Sequence, residues 1–455
     1  MAYHAKLSPS SADRWTSCTA SIGAQEGIPN TNSDASRNGT CCHQIQEECL
    51  IRGADPQTYL GRVMEFWHDE DESGEAWAPL VIRTNITGTV KVTQEMVDAV
   101  TSAVNFVNQR VQLTGGILEV EQRMPIGHFT GEEGASGMSD VTLLIPQTKT
   151  LCIADSKFGR AKVSAYEILV PAHQDIITNA EVPEKVRGNL QMCCYALGAL
   201  EKYKLFYEFE HVTMTIIQPM VNHVSEYSCT VAELLEVQEF LRTKANETRE
   251  KPVFVPSGDN CHFCRASGDC KAQTEAVIKT ALSGFEDVDT AAPAPVKENA
   301  LGSLYAAIPM IADWCKAVEA RVYSALQQNI PVVRNDGLAY KLVGGKKSAR
   351  QWADAEEAEA KLIAMRIPRD AIYEKVFISP TTAEKLAVVK KPKKGQPAPP
   401  PPVIGPTQWA RIQTLITQGQ GKPAVALQTD PRPAIAQAAT GFEDVPDAVQ
   451  NSDLF

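Results

Sequence analysis

The stretch Leu151-Cys152-Ile153-Ala154-Asp155-Ser156-Lys157 decides the predicted fold, because an apolar run ends in an acid followed two residues later by a lysine. Alternate residues of a strand face one side, so Asp155 and Lys157 would project together. An earlier strand opens with Gly137-Met138-Ser139-Asp140 and would bring a second carboxylate beside the first. Two such carboxylates can hold a divalent cation against a phosphate. The same triplet also occurs where a surface strand ends in solvated charges, so both interpretations stay open.

Residues on either side of these strands extend the pattern. His43 lies in residues 39–47, which we predict to be the first turns of a helix. Gln191 and Tyr195 are four residues apart, so they would share one face of a later helix. With His43 ahead of the two strands and Gln191 and Tyr195 on the helix behind them, the chain resembles the RecB-type branch of the PD-(D/E)XK nucleases.

This resemblance implies a role for each matching residue. As metal ligands it implies His43, Asp140, Asp155 and the Ser156 carbonyl. As catalytic residues it implies Asp140, Asp155, Lys157, Gln191 and Tyr195. The metal would be Mg²⁺ or Mn²⁺.

The 12 cysteines include one compact cluster, Cys261-x2-Cys264-x5-Cys270, and a lone Cys18 far toward the other end. This arrangement resembles the iron–sulfur staple of AddB-type and CRISPR-associated exonucleases of the same branch. The resemblance implies that the four cysteines bind a [4Fe-4S] cluster that clamps the two ends of the nuclease domain together. Four thiolates equally suit structural Zn²⁺, which the spacing alone does not exclude.

The net charge and the local charges of the chain point in opposite directions on DNA binding. The formal net charge of −11 is unusual for a protein that neutralises DNA phosphates. Acidic segments dominate that sum, however, whereas Lys157, Arg160 and Lys162 surround the predicted site. The sequence contains no secretory or membrane-spanning apolar segment, so we expect a cytoplasmic protein, in the host cell if phage-encoded, with no membrane partner.

We predict an α/β fold, a restriction-endonuclease-like mixed sheet flanked by helices, as the resemblance also implies. The predicted strands are residues 117–123, 140–146, 150–157 and 212–218, and the predicted helices are 93–113, 183–202 and 231–248. Glu119 or Glu121 on the first strand could approach the metal. Exposed strand glutamates are common, so neither is included in the predicted site.

We place the predicted domain boundaries where the amino-acid composition changes along the chain. Residues 1–280 form the nuclease domain with its staple, 281–298 a linker, 299–390 a small α+β accessory domain, and 391–455 a Pro-rich linker and tail. The pentapeptide at 284–288 recurs at 441–445, as a pair of docking motifs or by coincidence. The tail at 450–455 is similar to sliding-clamp ligands and, less closely, to the tip of single-stranded-DNA-binding proteins, although it could be a frayed terminus. Most of the chain also resembles an uncharacterised family found largely in bacteriophages.

Together these features predict a metal-dependent DNA exonuclease acting in phage DNA replication or recombination. The alternative is a non-cleaving DNA-binding or recombination-mediator module on the same fold. The intact set of two acids and a lysine favours the enzyme.

Overall fold

The computed structural model describes residues 5–28, 33–68, 73–78, 85–170, 173–174, 181–182, 184–282, 298–345, 350–373, 377–387, 402–417, 421–427 and 432–434. The chain divides into two compact units, Met1–Ala317 and Val318–Phe455. The proposed metal ligands and the four clustered cysteines all belong to the first unit. Both copies of the repeated pentapeptide, most of the predicted linker and the tail at 450–455 lie outside the described residues.

The first elements of the chain build a helical layer and a small sheet. In chain order they are α1 (Ala12–Ser17), α2 (Ser21–Ala24), α3 (Asp34–Arg52), β1 (Val63–His68), β2 (Ser73–Trp77), β3 (Ile86–Lys91) and α4 (Gln94–Thr114). The three strands form an antiparallel sheet in the order β2-β1-β3, which the sequence analysis did not predict. Helix α3 begins at Asp34, where the Ser33 hydroxyl caps it by accepting from the Ser36 N–H. His43 therefore lies in the middle of α3, and its predicted place in the first turns was wrong.

A five-stranded mixed sheet forms the centre of the first unit. The elements that build and surround it are β4 (Ile117–Pro125), α5 (Gly127–Thr130), β5 (Ser136–Ile145), β6 (Thr150–Ser156), β7 (Tyr166–Val170), β8 (His173–Gln174), β9 (Glu181–Val182), β10 (Lys185–Gly188), α6 (Leu190–Tyr203), β11 (His211–Gln218), β12 (His223–Thr230) and α7 (Val231–Glu250). The sheet order is β12-β11-β6-β5-β4. Strands β6 and β11 are parallel, as the helical crossover through α6 permits, and the other neighbours are antiparallel. The predicted α/β fold with a mixed sheet flanked by helices is confirmed.

Helices cover both faces of this sheet, and the strand residues alternate between the two cores. Leu151 and Ile153 of β6 pack into a core with α6 and α7, whereas Cys152 between them packs into a second core with α3 and α4. Asp155 continues the alternation on the α6 side. The end of β6 therefore points its acid toward the helix that carries Gln191.

The helix predicted over residues 183–202 is shorter than expected. Strand β10 pairs with β7, and α6 begins only at Leu190. The Asn189 side chain caps α6 by accepting from the Gln191 and Met192 N–H groups. A Cβ at Gly188 would lie 2.9 Å from the Cys193 sulfur, so the close approach of this strand to the helix requires glycine.

The cysteine-rich segment after α7 contains α8 (Gly258–His262) and α9 (Lys271–Leu282), and α10 (Glu298–Gln327) follows. The division between the two units falls within α10. In the part of the chain that the structure describes, no helix is both long and apolar enough to cross a membrane.

The second unit is a small α+β region, as predicted. Its elements are β13 (Tyr340–Gly345), β14 (Gln351–Trp352), α11 (Ala355–Ala364), α12 (Arg369–Ile372), α13 (Pro380–Ala387), α14 (Pro406–Ile412), β15 (Ile416–Thr417) and β16 (Gly421–Leu427). Its core includes Leu362, Ile372 and Ile412. Strand β16 pairs with β13, so folded elements extend into the segment predicted as linker and tail. The predicted domain boundaries themselves stay predictions.

Candidate metal centre and four-cysteine site

Neighbouring strands bring the two predicted acids together. The β5–β6 register pairs Val141 with Ala154, so Asp140 and Asp155 follow at adjacent positions of the two strands. Both side chains are shielded from solvent, with exposed fractions of 13% for Asp140 and 3% for Asp155. Asp140 Oδ2 accepts a hydrogen bond of 2.8 Å from the Ser156 N–H, which fixes its carboxylate against β6.

His43 reaches the same place from α3. Its Nδ1 lies 3.3 Å from Asp140 Oδ2, and its ring packs edge-on against Phe158. Burial alone lowers the pKa of His43, but the Asp140 carboxylate outweighs that effect and raises it to about 9. The same pairing holds the pKa of Asp140 below its usual range, in spite of burial. The two side chains therefore form an ion pair near neutral pH in the absence of metal.

Glu121 of β4 completes a group of three potential metal ligands. Ligand atoms of His43, Glu121 and Asp140 all lie within 4.8 Å of one another. The backbone of Glu121 has φ of 48°, a left-handed conformation in the middle of a strand. Burial, followed by the Asp140 charge, raises the pKa of Glu121 to about 8. One imidazole and two carboxylates form a donor set that could hold a divalent cation.

Asp155 is the centre of a hydrogen-bonded network next to this group. Its Oδ2 lies 2.9 Å from Lys157 Nζ, and its Oδ1 accepts a 3.2 Å hydrogen bond from Gln191 Nε2. The Gln191 Oε1 accepts from Lys157 Nζ at 3.1 Å, so Gln191 contacts both partners of the pair. Tyr195 Oη accepts from Gln191 Nε2 at 3.0 Å. Burial lowers the pKa of Lys157, but Asp155 outweighs burial and raises it, so the amine is a cation.

The structure thus brings the predicted residues together in two adjoining groups. His43 and Asp140 belong to the three-ligand group, and Asp155, Lys157, Gln191 and Tyr195 form the network. Asp155 lies outside the three-ligand group, and the role of the Ser156 carbonyl stays a prediction. Sequence analysis noted that Glu119 or Glu121 of this strand could approach the metal but included neither, because strand position alone did not single out Glu121.

The four clustered cysteines line one cavity. Cys18 follows α1, Cys261 lies in α8, and Cys264 and Cys270 lie in the turns before α9. The two segments that carry these cysteines are joined by a backbone hydrogen bond, because the Ala20 N–H donates to the Val253 carbonyl at 3.1 Å. The Val255 N–H also donates to the Cys18 sulfur at 3.4 Å. The lone cysteine and the compact cluster therefore meet in space.

The four thiols form a donor set that could hold a metal group in this cavity. Four thiolates suit a [4Fe-4S] cluster and equally suit one tetrahedral Zn²⁺. The buried Ser21 hydroxyl also lines the cavity and has no hydrogen-bond partner among the described residues.

Comparison with known proteins places the chain in a family without assigning an activity. One solved structure, described as "Crystal structure of SSO0001", shares 14% identity over 39% of this chain and 76% of that chain, with a TM-score of 0.18. At that TM-score the similarity supports no statement about fold or activity. A family model described as "Protein of unknown function (DUF2800)" matches residues 4–433. The chain therefore belongs to this uncharacterised family.

Proposed function

We propose that the protein is a metal-dependent deoxyribonuclease that hydrolyses phosphodiester bonds. The observation that carries the proposal is the position of the Lys157–Asp155 pair beside His43, Glu121 and Asp140. A cation-binding group and a partly buried amine in one place can together stabilise the negative charge that develops during hydrolysis of a phosphodiester. The resemblance to RecB-type PD-(D/E)XK nucleases, with its restriction-endonuclease-like fold, supports the same reaction.

The residues that would hold the metal are His43, Asp140 and Glu121, with Asp155 beside them. When bound, Mg²⁺ or Mn²⁺ would polarise the scissile phosphate and lower the pKa of a water molecule. His43 must give up its proton to become a ligand, because an imidazolium has no free lone pair.

Lys157 would orient the attacking water or offset negative charge on the phosphate. Its amine already lies within hydrogen-bond distance of Asp155 and Gln191, so it is held in position before substrate binds. Gln191 would keep the amine and the Asp155 carboxylate at a fixed separation, with Tyr195 holding the Gln191 amide. These residues act through Lys157 and Asp155, so Gln191 and Tyr195 are positioning residues.

The finer assignment is an exonuclease with an iron–sulfur staple in phage DNA replication or recombination. It is supported by the resemblance to AddB-type and CRISPR-associated exonucleases and by the cavity shared by Cys18, Cys261, Cys264 and Cys270. DNA would be the substrate. A sliding clamp or single-stranded-DNA-binding protein would be a further partner through the tail.

The test is cleavage of end-labelled single- and double-stranded DNA with Mg²⁺, with Mn²⁺ and with EDTA. We expect degradation that EDTA abolishes, and Lys157→Gln should lower the rate by about 100-fold or more. The matched control is Lys149→Gln, which makes the same charge change at the other end of β6, where the lysine is exposed. Metal-loaded protein that binds DNA without cutting it would favour the non-cleaving module instead.

A further inference from the structure

The hydroxyl of Ser21 is buried at the wall of the four-cysteine cavity. Ser21 begins α2, three residues after Cys18, and only 2% of the residue is exposed. Its Oγ has no hydrogen-bond partner in the part of the chain that the structure describes, although Ser21 lines the same cavity as the four thiols. Leaving a buried hydroxyl without a partner is costly, and a bound group that accepts a hydrogen bond from it would remove that cost.

A second unpaired donor lies on α1. The Arg14 Nη1 donates to the Phe263 carbonyl at 2.9 Å, inside the turn between Cys261 and Cys264. The Arg14 Nε is buried and has no hydrogen-bond partner among the residues that the structure describes. Burial lowers the pKa of Arg14, and the nearby Cys264 and Cys18 oppose that effect. The Phe263 contact therefore holds the guanidinium against the turn that joins Cys261 to Cys264.

Polar groups on the α9 side of the cavity contrast with Ser21. Gln273 is fully buried, and its amide exchanges hydrogen bonds with the Ser267 hydroxyl at 3.1 and 3.2 Å. The Gly268 N–H also donates to Gln273 Oε1. On the α9 side these polar groups thus pair with one another. The unpaired donors lie on the α1–α2 side.

We propose that Ser21 Oγ and Arg14 Nε donate hydrogen bonds to sulfur atoms of an iron–sulfur cluster bound by the four cysteines. This inference rests on the proposed cluster and assigns two residues to it beyond the thiolate ligands. Hydrogen bonds to sulfur stabilise the more negative, reduced form of a cluster and so raise its reduction potential. Sulfide and thiolate sulfurs accept such bonds, whereas a closed tetrahedral zinc site offers no sulfide.

The test compares resonance Raman spectra of the anaerobically purified full-length protein in H₂O and D₂O. Wild type should bind iron and acid-labile sulfide, and its iron–sulfur stretching bands should shift on deuteration. Ser21→Ala should keep the iron and sulfide but lose part of that shift, and its reduction potential should be lower. Ser21→Thr, which keeps the hydroxyl, should match wild type in both the deuterium shift and the reduction potential. Arg14→Gln, like Ser21→Ala, should lose part of the deuterium shift and have a lower reduction potential.

Ser17→Ala is the matched control, since Ser17 is an exposed serine of α1 directly before Cys18. It should leave the bands and the potential unchanged. Equal deuterium shifts and potentials in Ser21→Ala and wild type would overturn the hydrogen bond while leaving the cluster in place. Wild-type protein with zinc and no sulfide would overturn both the cluster and this inference.

Discussion

Gln191 Nε2 lies 3.2 Å from Asp155 Oδ1 and donates a hydrogen bond to it, while the Gln191 carbonyl oxygen accepts from Lys157 Nζ. The amide therefore joins a carboxylate on β6 to the amine two residues further along the chain. The Gln191 amide can bond to both the carboxylate and the amine only because α6 begins at Leu190 and brings its first turn over the end of β6. The geometry of the Asp155–Lys157 pair thus depends on the start of α6.

Replacement of Gln191 should lower turnover more than substrate affinity. Gln191→Met removes both hydrogen bonds at similar volume, so Lys157 loses its fixed position, and kcat should fall about 10-fold or more. KM for DNA should change little. Steady-state kinetics on a defined oligonucleotide measures kcat and KM separately. Gln94→Met, at an exposed residue of α4, is the control. A raised KM with unchanged kcat would show instead that Gln191 serves DNA binding.

Glu121 should contribute directly to metal affinity. Glu121→Gln keeps the size of the side chain but removes a charge from the three-ligand group, so the Mn²⁺ concentration for half-saturation should rise about tenfold or more. Titration with Mn²⁺ followed by electron paramagnetic resonance measures the free ion. Glu119→Gln on the same strand is the control and should bind Mn²⁺ like wild type. Equal affinities for Glu121→Gln and wild type would exclude Glu121 as a ligand.

Metal-free protein should lose stability as the pH rises from about 6 to about 9. In the folded state the pKa of His43 is raised from 6.5 to about 9, and that of Glu121 from 4.5 to about 8. The folded protein therefore binds more protons than the unfolded chain in this window, and the free energy of unfolding falls with increasing pH. Thermal unfolding in EDTA at several pH values measures this trend.

Mn²⁺ should remove most of that pH dependence, because the cation replaces the protons on both side chains. His43→Gln is the second comparison, since it removes one of the two titrating groups and should flatten the trend in EDTA. A midpoint temperature that is constant, or that increases, between pH 6 and 9 without metal would contradict the proposed protonation.

Loss of Cys18 should remove iron and lower stability together. Cys18 is far from the other three cysteines in sequence, so a cluster bound by all four closes a long loop and restricts the unfolded chain. Cys18→Ser should therefore contain less iron and unfold at a temperature lower by about 5 °C or more. Cys315→Ser, at an exposed cysteine, should match wild type in both respects. Full iron content in Cys18→Ser would contradict the assignment of that ligand.

The sequence predicted the central sheet because its strands carry strong local patterns. The alternation along 150–157 places Asp155 and Lys157 on one side, and the structure has the strand at Thr150–Ser156 with that pair in contact. The apolar period of 93–113 likewise predicted α4 within a residue of each end. In both cases burial of one face decides the structure, and a periodic sequence records that burial.

Other parts were not predictable because they depend on contacts distant in sequence. The start of α6 was missed since residues 185–188 pair with β7, and that pairing overrides a sequence compatible with helix. The sheet of β1, β2 and β3 was missed because its short strands lack a clear alternation. Glu121 could not be assigned because the position of its carboxylate depends on a left-handed backbone that strand alternation does not anticipate.

The most direct measurement is an anomalous difference map from crystals of the full-length protein soaked in Mn²⁺. The account predicts one strong peak within coordination distance of His43 Nδ1 and the Asp140 carboxylate, next to Lys157, and no such peak in Asp140→Asn crystals. An ordered site without a Mn²⁺ peak, in crystals that bind the ion elsewhere or not at all, would contradict the claim that these side chains form a metal centre.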